Sequence, residues 1–310
     1  MRYLVTGGAG FIGSTLARHL LEQGHTVRVL DDFSTGKEKN LAQIASDIEV
    51  QHGSIVNAKT VRTALKDVDG VFHLAAVASV QRSMEKPEEC HAINVTGFLN
   101  ILEGCRQAEV KRVVYSTSAA TYGEIDRFPL AESEPCEPIS PYGLHKWMNE
   151  EMARLYNRRG WVSSKGLRYF NVFGPRQDPH GDYAAVVPKF ITAFLAKTPP
   201  TIFGDGSQSR DFLFVEDVAL ANRLAMDSPK GDGEVFNVCA GNETSLLQLV
   251  EVLQKLVSPG LEPNFEAKRS GDIRRSVGNP AKAREILNFS PEFTVSEGLA
   301  RTVQWFRTSG

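Results

Sequence analysis

The sequence lacks any uninterrupted apolar run long enough to cross a membrane, and it has no marked excess of charge of either sign. Its 35 Lys and Arg residues nearly balance its 37 Asp and Glu residues. Such a balance gives no global field to attract nucleic acid or an anionic membrane surface. We therefore expect no nucleic-acid partner and no membrane partner, and any anionic ligand must be held by a local site.

Cysteine is scarce and scattered, at Cys90, Cys105, Cys136 and Cys239. The sequence has no C-x-x-C pair and no Cys/His spacing that suits zinc, so we expect no metal site. This pattern favours reduced thiols in a cytosolic protein over a catalytic cysteine. The sequence also runs from Met1 straight into a β-branched stretch without a charged leader, which favours a cytoplasmic location.

The 310 residues are 42% hydrophobic, which is enough for a buried core in one large domain or two smaller ones. Short β-branched runs alternate with stretches of helical period. The predicted strands are Tyr3–Thr6, Thr26–Leu30, Ile48–His52, Gly70–Leu74, Val113–Ser116 and Gly166–Phe170, and the predicted helices are Phe11–Gln23, Ala58–Lys66 and Glu88–Gln107. This alternation predicts an α/β fold, a Rossmann-type doubly wound parallel sheet with helices on both faces.

Beyond about residue 171 the pattern becomes less regular, with helical stretches at Val186–Ala196 and Leu246–Leu256 among glycines and prolines. We interpret residues 172–310 as a smaller, mixed α/β C-terminal substrate lobe that follows a nucleotide-binding domain over residues 1–171. The apolar segment Glu234–Cys239 can return to the first sheet. The first domain is therefore expected to receive about residues 211–240, so that the two units interleave.

Three glycines, Gly7, Gly10 and Gly13, follow the first predicted strand. A tight turn needs a residue without Cβ strain, the backbone must approach a pyrophosphate closely, and the helix must pack on the strand. The helix that begins near Phe11 directs its partially positive end at the phosphates. A flexible loop is the alternative, but a position between a strand and an amphipathic helix favours dinucleotide binding.

Asp31 follows the second predicted strand, about 20 residues after the glycine turn. A carboxylate there accepts hydrogen bonds from a ribose 2′-OH and repels a 2′-phosphate. This residue therefore favours NAD over NADP as the cofactor. The alternative is a carboxylate that merely ends a strand.

Tyr142 and Lys146 stand four residues apart, on one face of a helix if the segment is helical. Pro141 favours a helix start, and Ser118 lies at the end of a predicted strand upstream. Tyrosine is a poor base at neutral pH, but a lysine charge and an oxidised nicotinamide ring both stabilise phenolate. Tyr142 can then exchange a proton with a sugar hydroxyl, with Ser118 as a relay. A surface pair is the alternative.

The glycine turn, Asp31, Ser118, the Tyr142/Lys146 pair and the segment Arg168–Gly174 occur in this order along the chain. Together they resemble the extended short-chain dehydrogenase/reductase family, and the similarity runs over essentially the whole chain. Within that family the sequence is most similar to UDP-sugar 4-epimerases. The motifs are more specific for the family than for the reaction.

The resemblance implies a reaction cycle through a transient 4-keto sugar. Tyr142 would deprotonate the C4 hydroxyl, with help from Ser118, while the C4 hydride passes to tightly held NAD and returns to the other face of the sugar. Lys146 would bind the nicotinamide ribose and lower the Tyr142 pKa. The remaining cofactor contacts are expected at Phe11, Ile12, Asp32, Ser54, Ile55, Leu74, Ala75, Ala76 and Tyr169.

The residues after Ser118 argue for the type of reaction. The resembling dehydratases carry an Asp-Glu pair there, because elimination of water needs an extra acid and base, and the decarboxylases resemble Ser-Glu. Here Ala119 and Ala120 follow Ser118, without a carboxylate. The sequence therefore favours epimerisation.

The resemblance also implies a nucleotide-sugar site. Arg210 and Arg269 suit a diphosphate because a guanidinium offers paired, permanently charged donors, and Arg274 is a further candidate. Asp272 would accept hydrogen bonds from the uridine. The complete set of expected substrate contacts is Ser118, Asn171, Ala185, Val186, Arg210, Arg269, Asp272 and Ser276. A surface salt bridge is the alternative for any charged member.

Ser276 bears on the identity of the sugar. In epimerases restricted to glucose and galactose the matching position carries a bulky tyrosine, whereas a small residue leaves volume for a 2-acetamido group. The resemblance therefore implies UDP-GlcNAc and UDP-GalNAc as substrates, with UDP-glucose and UDP-galactose as further candidates. The alternative is that Ser276 is simply a small loop residue.

Two other functions stay open. A 4-epimerase of UDP-uronic acids would want a cation near C6 of the sugar, and a non-catalytic NAD-binding member of the fold would need no turnover. The resemblance further implies a homodimer built from the helices Glu88–Gln107 and Tyr142–Arg158. An apolar helical stripe also covers a protein's own sheet, so the periodicity does not decide this point.

Overall fold

The computed structural model describes residues 1–180, 185–268 and 274–309. The strands, in chain order, are β1 (Arg2–Thr6), β2 (Thr26–Asp31), β3 (Ile48–His52), β4 (Gly70–His73), β5 (Arg112–Ser118), β6 (Ser163–Tyr169), β7 (Asn171–Phe173), β8 (Thr201–Phe203), β9 (Ser209–Arg210), β10 (Phe212–Phe214), β11 (Val235–Val238), β12 (Thr244–Ser245), β13 (Asn264–Glu266) and β14 (Arg275–Ser276). The α-helices are α1 (Phe11–Glu22), α2 (Ala58–Ala64), α3 (Val80–Glu85), α4 (Pro87–His91), α5 (Gly97–Gln107), α6 (Pro141–Arg158), α7 (Val186–Leu195), α8 (Val215–Asp227), α9 (Leu246–Leu256), α10 (Ala281–Leu287) and α11 (Val295–Ser309).

Seven strands form one parallel sheet in the order β11-β6-β5-β4-β1-β2-β3. The chain order reverses between β1 and β4, because β1 pairs with β2 on one side and with β4 on the other. In a doubly wound sheet the ligand crevice lies beyond the carboxyl ends of the strands at such a switch point. The predicted Rossmann-type α/β fold is therefore confirmed.

Both faces of this sheet are buried. Val5 and Phe72 belong to the core under α1 and α8, whereas Leu4 and Val71 belong to the core under α2, α5 and α6. These neighbours alternate because successive side chains of a strand point to opposite faces. Helices on both faces are what an all-parallel sheet requires, since neither face can be left in water.

The predicted helix Glu88–Gln107 is helical along its length, and it contains a wide π-helical turn at Ala92–Thr96 between α4 and α5. In this turn Asn94 exchanges two side-chain hydrogen bonds with the backbone of Val77, at 2.8 and 3.0 Å. Its carbonyl accepts a hydrogen bond from the Asn149 amide at 2.9 Å. The apolar periodicity predicts the helical segment but does not report where a helical turn widens to free a carbonyl for another partner.

The second lobe is built from small sheets and the helices α7, α9 and α11. β7 pairs with β10, β9 lies between β12 and β14, and β8 pairs with β13. Phe194 of α7 and Leu253 of α9 are fully buried in its core. β11 joins β6 in the large sheet, so the segment Glu234–Cys239 contributes to the first layer. The division of the chain at residue 171 stays a prediction.

The described residues contain neither a membrane-spanning helix nor a metal-binding cluster. Across residues 1–180, 185–268 and 274–309, no helix combines the length and apolar character needed to cross a membrane. The same residues contain no cluster of His, Cys, Asp and Glu side chains that could hold a metal ion. The cysteines are free thiols, and Cys136 is the one among them that is not buried.

Candidate active site

A cavity of about 500 Å³ lies at the carboxyl ends of β1, β2, β4 and β5, at the switch point of the sheet. We call it the cofactor cleft. The expected cofactor residues that line it are Gly7, Gly10, Phe11, Ile12, Gly13, Asp31, Asp32, Ile55, Leu74, Ala75, Ala76, Tyr142, Lys146 and Tyr169. Residues that are far apart in the sequence are thus brought to one site by the parallel arrangement of the strands.

The glycine turn is shaped for a close approach of backbone to ligand. Gly7 has a φ of +69°, in the left-handed region that favours glycine. A Cβ on Gly13 would lie 2.1 Å from the carbonyl oxygen of Gly7, so α1 can pack on the turn only because this position has no side chain. Gly10 is the N-cap of α1 and provides no side-chain cap. The first amide groups of α1 therefore remain donors for a pyrophosphate.

Asp31 lies at the end of β2 and is buried. Its Oδ2 accepts the N–H of Ala9 and its Oδ1 accepts the N–H of Phe33, each at 2.8 Å. Burial raises the pKa of the carboxyl, and the two backbone N–H groups oppose that effect. Because each carboxylate oxygen has a second lone pair, Asp31 can fix the glycine turn and still accept a ribose hydroxyl.

Ser54, expected to contact the cofactor, does not line the cofactor cleft, whereas its neighbours Gly53 and Ile55 do. The Ser54 hydroxyl instead accepts the N–H of Val56 at 3.4 Å. The Gly53 N–H donates to the Asp31 carbonyl oxygen at 2.9 Å, which sets the orientation of this segment. The structure therefore places Gly53 and Ile55, the neighbours of Ser54, at the cleft where the cofactor contact is expected.

α6 begins where the sequence predicted. The Ser140 hydroxyl accepts the N–H of Gly143 at 3.1 Å, and Pro141 occupies the first helical position. Tyr142 and Lys146 follow in the first two turns, both buried. Their spacing of four residues places them on the same face of α6, which points at the cofactor cleft.

Ser118, Tyr142 and Lys146 converge on the end of β5. The Ser118 side chain lies close enough to the Tyr142 phenol to lower its pKa. Lys146 Nζ donates to the carbonyl oxygen of Ser116 at 2.9 Å and to its hydroxyl at 3.1 Å. The same ammonium lies 5.9 Å from the centre of the Tyr142 ring. The structure thus brings together the three residues expected to be catalytic.

Burial dominates the ionisation of this group. Burial raises the pKa of Tyr142, while the neighbouring Ser118 hydroxyl lowers it. Burial also lowers the pKa of Lys146 to about 8, and the charge of Glu150 opposes that change. Lys146 therefore carries its positive charge at neutral pH. A cation beside a phenol favours the phenolate, which is the form that can accept a proton.

His73, at the end of β4, supports the floor of the cofactor cleft. Burial, and then the charge of Lys146, lowers its pKa to about 3, so the imidazole is neutral at physiological pH. Its Nδ1 lies 2.9 Å from the Thr6 hydroxyl. That hydroxyl accepts the N–H groups of Leu74 and Ala75 at 3.3 Å each, so its own proton is available to His73. The network fixes two residues of the cleft wall.

A second cavity, of about 660 Å³, opens from the same point and is here called the sugar cleft. It shares Ser118, Tyr169, Phe170 and Asn171 with the cofactor cleft. Its other lining residues are Ala119, Ala120, Gly123, Glu124, Ile125, Asp126, Phe128, Leu130, Arg210, Arg274, Arg275 and Ser276. Molecules bound in the two clefts would therefore meet beside Ser118.

The expected substrate residues are distributed unevenly. Ser118, Asn171, Arg210 and Ser276 line the sugar cleft, whereas Ala185 lines the cofactor cleft. Val186 lines neither cleft, because it begins α7 and packs against the core of the second lobe. Arg269 and Asp272 lie outside the described residues, as do residues 181–184 between Gln177 and Ala185.

A buried network behind Ser118 was not anticipated from the sequence. Glu150 accepts the Thr117 hydroxyl at 2.7 Å and two Arg168 N–H groups at 2.9 and 2.6 Å. The Arg168 guanidinium also lies 4.6 Å from the centre of the Tyr122 ring. Glu150 follows Lys146 by four residues on α6, so helical spacing was the available signal. The aromatic and acidic residues of the loop 124–128 had no such signal.

The protein-family model described as the NAD dependent epimerase/dehydratase family matches residues 3–239. The chain belongs to this family. NAD is accordingly its cofactor, and solved neighbours contain NAD. The cofactor cleft fits the group: it offers a glycine turn at a helix amino end and a buried carboxylate at the end of β2.

Several relatives cover the chain almost completely. A UDP-glucose 4-epimerase of Mycolicibacterium smegmatis is 42% identical, over 99% of this chain and 99% of its own. A UDP-glucose 4-epimerase of Thermotoga maritima, solved with UDP-glucose, is 39% identical with a TM-score of 0.94, over 100% of this chain and 99% of its own. A UDP-N-acetylglucosamine 4-epimerase of Methanobrevibacter ruminantium, solved with UDP-N-acetylmuramic acid, is 36% identical with a TM-score of 0.95 and the same coverage. The resemblance to UDP-sugar epimerases is thereby confirmed.

Proposed function

We propose that this protein is a UDP-hexose 4-epimerase that interconverts UDP-GlcNAc with UDP-GalNAc and also accepts UDP-glucose and UDP-galactose. The observation that carries the proposal is the junction of the two clefts at Ser118, with Tyr142 beside it. A dinucleotide in one cleft and a nucleotide sugar in the other would present their reacting ends to these residues. The similarity to UDP-glucose 4-epimerases and to a UDP-N-acetylglucosamine 4-epimerase supports the same reaction.

The proton chemistry falls to the chain's own residues. NAD, when bound, supplies the acceptor and donor of the C4 hydride. Tyr142 takes the proton of the C4 hydroxyl at its phenolic oxygen and later returns it. Ser118, beside that phenol, orients the reacting oxygen and relays its proton. Lys146, held by Ser116, keeps a positive charge beside the phenol and so favours its ionised form.

The wall of the sugar cleft favours epimerisation over elimination of water. Ala119 and Ala120 follow Ser118 along this wall, and neither carries an ionisable group. Elimination needs an additional acid and base placed next to the reacting carbon. The carboxylates that line the cleft, Glu124 and Asp126, are exposed to solvent on the loop after Gly123. Without that acid and base, the 4-keto sugar does not lose water, and it regains the hydride at C4 and the proton at the C4 oxygen.

The far end of the sugar cleft suits the diphosphate of a nucleotide. Arg210 on β9 and Arg274 just before β14 both line it. The register of these strands pairs Arg210 with Ser276, so the residue proposed for the diphosphate and the residue that bears on the sugar are neighbours. Guanidinium groups suit this task because they stay charged and offer parallel donors.

Ser276 supports acceptance of the 2-acetamido group. It lines the sugar cleft with a side chain that has a single heavy atom beyond Cβ. Ile125 and Phe128 also line this cleft and provide apolar surface for an acetyl methyl. A tyrosine at position 276 would occupy this volume.

A UDP-uronic acid is the second candidate substrate, and it would use Arg275. This guanidinium lines the sugar cleft, but it forms an ion pair with Glu243 and packs 4.7 Å from the centre of the Phe128 ring. A sugar carboxylate would have to compete with Glu243 for the charge. Neutral hexoses are therefore the preferred substrates in this proposal.

One experiment tests the proposal. The purified protein is incubated without added cofactor with UDP-GlcNAc, UDP-glucose and UDP-glucuronic acid in separate samples, and the C4 epimers are followed by NMR. Conversion of the first two supports the open sugar cleft and a retained NAD. Conversion of UDP-glucose alone would refute the argument from Ser276, and conversion of UDP-glucuronic acid alone would establish the second candidate.

A homodimer is part of the proposal. Leu99 on α5 is 39% exposed, and Leu144 and Leu155 on α6 are 41% and 46% exposed. Exposed apolar side chains on two neighbouring helices suit an interface between copies. Light scattering of the purified protein tests this, and a mass equal to one chain would refute it.

A further inference from the structure

We propose that Asp211 is a positioning residue for the nucleotide sugar: its carboxylate fixes the backbone that presents Arg210 and Ser276 to the sugar cleft. The inference deepens the proposed function and takes the identity of the ligand from it. Asp211 lies between β9 and β10, is fully buried, and lines neither described cleft. It therefore acts on the ligand through other residues.

The Asp211 carboxylate binds three backbone N–H groups. Oδ1 accepts from Ala240 at 2.7 Å, and Oδ2 accepts from Gly241 at 2.9 Å and from Gly278 at 3.2 Å. Ala240 and Gly241 belong to the turn after β11, whereas Gly278 follows β14. One side chain thus ties the strand β9 to two segments that are remote in sequence.

The backbone of Asp211 links the proposed substrate residues directly. Its N–H donates to the carbonyl oxygen of Ser276 at 2.8 Å, and its carbonyl oxygen accepts the N–H of Asn171 at 3.0 Å. The preceding residue, Arg210, pairs with Ser276 in the register of β9 and β14. Three side chains of the sugar cleft are therefore placed by the conformation at position 211.

The backbone at Gly278 packs closely against Phe170, which belongs to the wall of the sugar cleft. A Cβ on Gly278 would lie 2.6 Å from the Phe170 ring and 2.7 Å from Cys239 Sγ. Phe170 lines both the cofactor cleft and the sugar cleft. A displacement of the Gly278 backbone would reach the ligand through Phe170 and Ser276, because a close-packed interior transmits small shifts.

A carboxylate is the side chain that this arrangement requires. It is an acceptor at both oxygens, whereas an amide of the same size would turn an NH₂ group towards at least one of the three N–H groups. Burial raises the pKa of Asp211 to about 6, and its three N–H partners oppose that rise. The group is therefore ionised at neutral pH. Asp211→Asn preserves volume but breaks part of the anchor.

Asp217 provides a matched control for a purely stabilising role. It is likewise buried, burial raises its pKa to about 6, and it accepts the N–H of Glu292 at 2.7 Å. It lies on α8 and lines neither described cleft. Asp217→Asn therefore reproduces the loss of a buried carboxylate without disturbing β9 or β14.

The test compares Asp211→Asn and Asp217→Asn with the wild type, each as the NAD-containing protein. Calorimetric titration with UDP gives the Kd, and turnover of UDP-GlcNAc and UDP-glucose gives KM and kcat. For Asp211→Asn we expect the Kd for UDP and the KM to rise about tenfold or more, with kcat within about threefold and normal NAD content. For Asp217→Asn we expect a lower Tm and an unchanged Kd and KM.

An Asp211→Asn protein with a lower Tm and a wild-type Kd for UDP would overturn the inference, because it would match the control. If that variant does not fold, Asp211→Glu replaces it, with the charge retained and the carboxylate displaced by one methylene. Unchanged UDP binding by the glutamate variant would overturn the inference equally. A wild type that binds UDP but epimerises no sugar would refute the proposed function alone, since the comparison of Kd values still tests Asp211.

Discussion

The Lys146 ammonium lies 5.9 Å from the centre of the Tyr142 ring, one turn further along α6, and is held there by two hydrogen bonds to Ser116. Neither side chain is exposed to solvent. The hydrogen bonds to Ser116 at the end of β5, and not the phenol, thus hold the Lys146 ammonium in its position. This arrangement keeps the lysine beside Tyr142 whether the phenol is protonated or ionised, as a reversible proton acceptor requires.

We expect Tyr142→Phe to lower turnover by about 10²–10⁴-fold, because the ring stays while the proton acceptor is lost. NAD content and Tm should remain close to those of the wild type. Tyr122→Phe is the comparison, since it removes another buried phenolic oxygen, one that donates to Asn237 and lines neither described cleft. It should cost stability and preserve kcat. Turnover of Tyr142→Phe within tenfold of wild type would contradict the assignment.

Much of the cofactor cleft was predictable because its signals are local. The glycine turn occupies a few residues between a strand and a helix, and the start of α6 is marked by Ser140 and Pro141 next to Tyr142. Apolar periodicity located the strands of the large sheet to within a few residues. The fold then follows, because parallel strands bring these local motifs to one edge.

The sugar cleft was less predictable because its contacts join residues that are remote in sequence. Asp211 binds Ala240, Gly241 and Gly278 through their backbone N–H groups, which carry no sequence signature. Ser54 shows another limit, since the sequence does not report whether its own side chain or its neighbours Gly53 and Ile55 face the cleft. Composition and spacing predict which helices and strands form, whereas the tertiary packing determines which side chains face the ligand.

His73 makes the folded state sensitive to acid. Burial and the charge of Lys146 lower its pKa from 6.5 to about 3. Between these values the unfolded chain binds a proton that folded His73 does not, so the free energy of unfolding rises with pH in this window and falls as the solution is acidified below 6.5. We expect His73→Gln to remove this contribution, about 1.4 kcal/mol per pH unit.

Urea denaturation of wild type and His73→Gln at about pH 5 and about pH 8 measures this contribution. The other ionisable groups are common to both proteins, so the difference between their free energies of unfolding isolates position 73. That difference should shrink or reverse at the lower pH, where the wild type loses its advantage. If the free energy of unfolding depends on pH equally in the two proteins, His73 takes up its proton over the same pH range in the folded and the unfolded state, which would contradict the prediction.

Asp31 should determine both retention and choice of the cofactor. Its carboxylate anchors the N–H groups of Ala9 and Phe33, and its charge opposes a 2′-phosphate. We expect Asp31→Asn to weaken NAD binding about tenfold or more and to narrow the preference for NAD over NADP. Asp32→Asn should have a smaller effect, because the Asp32 carboxylate accepts only the exposed N–H of Ser34 among the hydrogen bonds described.

The NAD and NADP contents of the purified proteins, and the Kd of each cofactor after its removal, measure these effects. If Asp32→Asn loses more NAD than Asp31→Asn, the Asp32 carboxylate and not that of Asp31 retains the cofactor. If the ratio of the Kd values for NAD and NADP is unchanged in Asp31→Asn, Asp31 does not determine the choice between the two cofactors, even where it helps to retain NAD.

Ser276→Tyr tests the volume available to the sugar. The added ring would extend into the sugar cleft, which Ile125 and Phe128 also line and where the acetyl group of UDP-GlcNAc is proposed to lie. We expect kcat/KM for UDP-GlcNAc to fall about a hundredfold and that for UDP-glucose to stay within about fivefold, since only the larger sugar clashes. Ser276→Ala, which adds no volume, should retain both activities. A parallel loss of both substrates in the tyrosine variant would show that position 276 shapes the whole site, because a filter for the acetamido group alone must spare the smaller sugar.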